Sequence, residues 1–246
     1  MSEAKKIAVV VGGSRGIGAA VVRLLAQAGY SVVFSYASNA ASAEAVAASV
    51  TSSDGHAIAI KADSASEADL VSLFEQAQTL GLIGALVYSA GITGQASPLA
   101  DVSAETLERV IAVNLTGAML AAREGVRRMA RSRGGSGGGI VFISSRATAY
   151  GSPGEYVWYA ASKGGIDSLM TGLAKEVGGD GIRVNCVSPG PVATDMLSAE
   201  RLAVGAARVP MKRAGEAEEV AQAVLYLLSQ DASYVNGANL AVSGGV

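Results

Sequence analysis

The chain of 246 residues has one cysteine, Cys186, and one histidine, His56. A single cysteine rules out an internal disulfide framework and fits a reducing compartment, so a cytoplasmic location is expected. A single histidine leaves too few ligands for a metal site, and none is expected. His56 opens a strand pattern and reads as exposed; Cys186 reads as a buried strand residue. No apolar run is long enough to span a bilayer, so no membrane partner is expected. The start, "MSEAKKIAVVVGGSRGIG", sets two lysines before apolar residues, but the run from Ile7 to Val11 is too short for a signal peptide. Charge of one sign is not in excess either: 19 Lys and Arg face 21 Asp and Glu, for a net charge of -2. That balance gives no electrostatic basis for binding nucleic acid.

Half of the chain is hydrophobic, enough for a sizeable core. Short β-branched runs alternate with segments of helical spacing. The runs are "KIAVVV" (6–11), "SVVFSY" (31–36), "HAIAIKA" (56–62), "GALVYS" (84–89), "GIVFIS" (139–144), "IRVNCV" (182–187) and "NLAVSG" (239–244). The alternation predicts a doubly wound α/β fold: a parallel sheet of about seven strands with helices on both faces. Ser66 and Ser103 stand where helix N-caps are expected. No linker divides the chain, so residues 1–246 are read as one domain. "RSRGGSGGG" (131–139) reads as a flexible connector. Residues 189–215, with Pro189, Pro191 and Pro210, lack strand character and read as a mobile lid with a short helix.

"VVVGGSRGIGAAVVRLL" passes from strand to helix through Gly12, Gly13, Gly16 and Gly18. Glycines permit close backbone approach, and the helix N-terminus that follows favours phosphate. An NAD site usually has an acid about 20 residues on, which holds the ribose 2′-hydroxyl. Here Tyr36, Ala37 and Ser38 fall at that place, and no carboxylate comes before Glu44. The missing acid admits a 2′-phosphate. Arg15 can pair with it, and Ser35, Ser38 and Asn39 can add hydrogen bonds. NADP(H) is therefore expected over NAD(H). "YAASK" adds Tyr159 and Lys163, one helical turn apart on one face.

Taken together, "GGSRGIG" (12–18), "YSAG" (88–91), "VNLTG" (113–117), "ISS" (143–145), "YAASK" (159–163), "RVNCVSPGPVATDM" (183–196) and "VSGG" (242–245) give a chain that resembles the short-chain dehydrogenase/reductase family over essentially its whole length. Within the family it resembles glucose-dehydrogenase-like and 3-oxoacyl-carrier-protein-reductase-like members. The resemblance implies a single-domain Rossmann-type enzyme moving hydride between NADP(H) and a carbonyl or alcohol. It implies Tyr159 as proton donor, Ser145 as hydrogen-bond partner of the carbonyl oxygen, and Asn114 as holder of a water that relays protons by way of Lys163. Ser144 is the rival to Ser145, on the opposite face of a strand. A cation about 5 Å from the phenol, at an effective dielectric of ~20, is worth about 3 kcal/mol, so Lys163 is expected to lower the Tyr159 pKa. Cofactor contacts are implied at Gly12, Ser14, Arg15, Gly16, Ile17, Gly18, Tyr36, Ala37, Ser38, Asp63, Ser89, Ala90, Gly91, Tyr159, Lys163, Pro189, Gly190, Val192 and Thr194. Asp63 can equally be a strand-end or helix-cap acid.

Three departures stand out. Val11 replaces the usual threonine, and Tyr88 and Ser89 replace two asparagines, so the fourth strand must be held differently. Trp158 and Tyr156 read either as pocket lining or as a subunit contact. A homotetramer is expected, with a dimer as the alternative. The substrate stays open: a ketone is expected, and a 3-oxoacyl-thioester is the alternative, with Arg127, Arg128, Arg131 and Arg133 as candidates to greet a carrier protein. A nucleotide-sugar epimerase is disfavoured by the short segment after Pro189, and an NADPH-binding redox sensor without turnover by intact Ser145, Tyr159 and Lys163.

Overall fold

A computed structural model describes residues 6–196 and 198–246. "IAVVV" becomes β1 (Ile7–Val11), buried at every residue. An unbroken apolar strand is what a sheet covered on both faces requires. Its alternate side chains go to opposite layers. Ile7, Val9 and Val11 pack with Leu70, Leu73, Ala118, Ala121, Ile166 and Met170. Ala8 and Val10 pack with Val21, Val22, Val46, Val220 and Val224. Each large aliphatic side chain buried in this way contributes about 1.5–3 kcal/mol.

The chain order is β1, α1 (Gly16–Gln27), β2 (Ser31–Tyr36), α2 (Ala40–Thr51), β3 (His56–Lys61), α3 (Glu67–Gln78), β4 (Ile83–Tyr88), α4 (Ala104–Ile111), a π-helical turn (Ala112–Thr116), α5 (Gly117–Met129), β5 (Gly138–Ile143), α6 (Ala147–Tyr150), α7 (Val157–Val177), β6 (Ile182–Pro189), α8 (Ala199–Arg208), α9 (Ala217–Leu228) and β7 (Asn239–Val242). The seven strands lie in the order β3-β2-β1-β4-β5-β6-β7, and every pairing is parallel. Winding reverses between β1 and β4. In sheets of this kind the crevice beyond the strand ends at that point is where ligands bind. Among the described residues, no helix is long and apolar enough to cross a membrane.

The expected caps are present: Ser66 accepts from the Asp69 amide and Ser103 from the Thr106 amide. One reading changes. The glycine run 131–139 is a packed joint and not a flexible connector. Gly137 N donates to Met129 O at 2.8 Å, and Gly138 N donates to Gly181 O at 2.9 Å. A Cβ on Gly137 would run into the Gly181 carbonyl, so the glycines serve close backbone approach. Separately, α4 and α5 are joined without a loop by the π-helical turn. Such turns often mark functional sites. β4 is held by Tyr88, whose hydroxyl reaches across to donate to the Val113 carbonyl in that turn. Gly117 makes room for it, because a Cβ there would meet the Tyr88 hydroxyl at 2.5 Å.

Candidate active site

A cleft of about 1350 Å³ opens along the C-terminal ends of β1, β2, β4, β5 and β6. At one end stands the glycine loop. Gly12 has φ +83°, and a Cβ on it would lie 2.7 Å from the Ala90 backbone. A Cβ on Gly18 would strike the Gly12 carbonyl, so only glycine lets α1 start this close to β1. Gly12, Ser14, Arg15, Gly16, Ile17 and Gly18 all line the cleft, as do Tyr36, Ala37, Asp63, Ser89, Ala90, Gly91, Pro189, Gly190, Val192 and Thr194.

Some expected contacts fall elsewhere. Ser38 is not among the lining residues. Asn39 is spent as the cap of α2, accepting from the Ser42 amide at 3.0 Å. Ser35 does line the cleft, with its Oγ accepting from Gly12 N at 3.0 Å. Asp63 is a strand-end acid that also lines the cleft: Oδ1 accepts from Ala65 N and Oδ2 from Arg109, both at 2.9 Å. Burial pushes its carboxyl up, but the Ala65 amide and the Arg109 guanidinium outweigh this and hold it below the ordinary range.

Past the Gly91 backbone lie the polar groups. A Cβ on Gly91 would sit 3.5 Å from Lys163 Nζ and 3.6 Å from Asn114 Oδ1. Ser145, Tyr159 and Lys163 line the cleft together. Lys163 Nζ donates to Ile143 O at 2.7 Å and lies 5.8 Å from the centre of the Tyr159 ring. Ser144, the rival serine, donates to Asp167 Oδ1 at 2.6 Å. Ser145 instead faces Tyr159, takes the Ala147 amide at 3.1 Å, and its hydroxyl favours the phenolate.

The expected lowering of the Tyr159 pKa is not what the structure shows. Burial pushes the phenol up to about 12, offset only in part by Ser145. Burial also brings Lys163 down to about 8. Both shifts have one cause: a dry pocket disfavours whichever form is charged, so the cation that should help is itself weakened. Tyr159 is therefore a held proton.

Asn114 lies outside the cleft lining and is fully buried. Nδ2 donates to Ile92 O at 2.9 Å and Ser162 Oγ at 3.0 Å, while Oδ1 accepts from Ile92 N at 2.8 Å. Both amide protons are used, so the side chain locks the loop after β4 to α7 and has no donor left for a water. The sequence singled out neither Ile92 nor Ser162; the one signal was the place of Ser162 inside "YAASK", beside Lys163. The four arginines also differ from expectation. Arg127 and Arg128 pair with Glu124 at 2.7 and 2.5 Å. None of the four lines the cleft; Arg127 and Arg128 are in the last turn of α5 and Arg131 and Arg133 just beyond it. Tyr156 lines the cleft, whereas Trp158 is buried, with Nε1 donating to Thr93 O at 2.7 Å.

A family model described as enoyl-(acyl carrier protein) reductase matches residues 11–246. The chain belongs to the short-chain dehydrogenase/reductase family. An Escherichia coli K12 protein named as the uncharacterized oxidoreductase YgfF is 47% identical over 97% of this chain and 99% of its own length. An Arabidopsis thaliana chloroplastic protein named as NADPH-dependent aldehyde reductase-like is 36% identical over 98% of this chain and 94% of its own. The crystal structure of a blue fluorescent protein from a metagenomic library, in complex with NADPH, is 38% identical and superposes with a TM-score of 0.90, covering 98% of this chain and 97% of that one. By family, then, this oxidoreductase is built on a Rossmann-type sheet.

Proposed function

We propose that the chain is an NADP(H)-dependent reductase of carbonyl compounds that carry an apolar body. The observation that carries this reading is the convergence of Ser145, Tyr159 and Lys163 on one cleft, with Lys163 Nζ 5.8 Å from the centre of the Tyr159 ring. The residues fit the cofactor. The glycine loop leaves room for a pyrophosphate against the start of α1. The end of β2 offers Tyr36 and Ala37 with no carboxylate, and Arg15 supplies a cation for a 2′-phosphate. An NADPH-named relative and an NADPH-bound neighbour support the same preference.

When bound, NADPH supplies the hydride. The chain does the rest. A carbonyl oxygen seated between Ser145 and Tyr159 receives two hydrogen bonds, which grow stronger as negative charge develops on it. Tyr159, kept protonated by its dry surroundings, then gives its proton to the far more basic alkoxide. Lys163, on Ile143 O, stands beside the phenol and stabilises the phenolate left behind. The cofactor contacts other than those of the glycine loop, including Asp63, Gly190, Val192 and Thr194, are part of this proposal, as is residues 189–215 acting as a lid on a single catalytic domain.

The substrate end favours an apolar body. Tyr150, Met196 and Val204 stand about half exposed there, beside Pro153 and Tyr156. Covering such surface returns about 25 cal/mol per Å². The carrier-protein alternative is weakened because its arginines lie away from the cleft. A cytoplasmic homotetramer completes the proposal.

The test is cofactor oxidation with NADPH and NADH in parallel across aryl and cyclic ketones, aldehydes, 3-oxoacyl thioesters and an enoyl thioester. We expect turnover with NADPH on apolar ketones or aldehydes, and a loss of about 10²–10⁴ in Tyr159→Phe with NADPH binding retained. Preference for NADH, or turnover of the enoyl thioester alone, overturns the reading; binding without any turnover returns the redox-sensor alternative.

A further inference from the structure

Three stretches far apart in sequence wall the substrate end of the cleft: 92–98 after β4, 150–156 before α7, and α8 with the residues leading to it. Glu155 joins all three. Its backbone carbonyl accepts from Ser97 N at 3.1 Å. Its carboxylate Oε2 pairs with Arg201 Nη2 at 2.6 Å. The Arg201 guanidinium also stacks on the Tyr156 ring, with Cζ 4.8 Å from the centroid. Tyr156 in turn stands edge-on to Trp158, 6.3 Å between ring centres, and Trp158 is pinned to Thr93 O. The position of α8 makes these contacts matter, because none of its residues is buried. A helix with no core side chain is held by what its surface can grip.

We propose that Glu155 and Arg201, with the Tyr156 ring stacked against the Arg201 guanidinium, form a clasp that fixes α8 over the substrate end and so sets the size of carbonyl compound admitted. They are specificity-determining residues that act by position. The clasp rests on the reductase reading for its kinetic consequence, but not for its structural one. An exposed ion pair contributes little to global stability, so its loss should free α8 without unfolding the sheet.

The experiment compares the wild-type chain with Glu155→Gln, Arg201→Met and the double variant. Amide hydrogen exchange is followed by mass spectrometry, and KM and kcat are measured for ketones of increasing bulk. Amides of 199–208 should exchange about tenfold faster in each single variant, with those of β1 and β4 unchanged. KM for a small ketone should rise about tenfold, the loss falling on KM more than kcat, while bulky ketones improve relative to small ones. In the Arg201→Met background, Glu155→Gln should add nothing further, because the pair acts as one unit. Unchanged exchange in 199–208, or additive effects in the double variant, overturns the clasp. If the wild-type chain reduces no carbonyl compound, the reductase reading fails while the exchange measurement still decides the clasp.

Discussion

Burial acts on Tyr159 and Lys163 together, and each answers by favouring its neutral form. Lys163 titrates at about 8 in the folded chain against 10.5 ordinarily. Below pH 8 both folded and unfolded chains carry the proton, and the folded state bears the full cost of a buried cation. Between 8 and 10.5 the folded chain sheds the proton while the unfolded chain keeps it, so this residue makes stability rise with pH. Cys186 and Tyr159, both pushed up by burial, act in the opposite sense above about pH 9 and 10. The difference between wild type and Lys163→Met isolates the lysine. Thermal unfolding at pH 7 should show the variant more stable, by roughly 3 kcal/mol at most. The gap should close as pH rises toward 10. A variant less stable at pH 7 would mean that the bond to Ile143 O outweighs the buried charge. The motif Tyr-x-x-x-Lys could be read in the sequence because one helical turn links its ends. The sign of the Tyr159 shift could not, since it depends on how much water the folded walls exclude.

At the scale of elements, the π-helical turn and Tyr88 belong together. The sequence showed that the fourth strand lacked its usual asparagines; it did not show that a tyrosine would cross to the Val113 carbonyl. Hydropathy over 104–130 is that of one continuous helix, and an extra residue in one turn leaves no periodic trace. Tyr88→Phe keeps the ring and deletes the hydroxyl that donates to the Val113 carbonyl. Denaturant unfolding should show a loss of about 1–3 kcal/mol. Amides in 112–116 should exchange faster than those of α5. A variant as stable as wild type would show that the turn is held by Asn114 alone. The glycine joint at 131–139 has a similar history: low complexity suggested slack, whereas Gly137 and Gly138 lack side chains where a Cβ would strike the backbone carbonyls of Gly181 and Gly84.

Across the whole molecule, strand order and layers were legible because β-branched runs and helical spacing alternate along the full chain. The pairs that shape the cleft were not. Asp63 with Arg109, and Glu155 with Arg201, join side chains 46 residues apart, and no period or local motif relates them. The proposed homotetramer also belongs to this scale. On α7, a Cβ at Gly164 or Gly172 would meet nothing within 4 Å, and the edge strand β7 is exposed at Asn239, Leu240 and Ala241. Light scattering on the eluting protein should give about four times 24.6 kDa; a monomeric mass would leave those surfaces without a partner.

Cys186 sits in β6 between β5 and β7, with none of its surface open to solvent. Burial also raises its thiol pKa above the ordinary value, so the reactive thiolate is scarce as well as hidden. The consequence is a built-in clock. A disulfide reagent that colours on reaction meets no other thiol in this chain, and it can reach this one only in molecules whose sheet has parted. The pace of its colour is then the pace of opening, read without adding a probe.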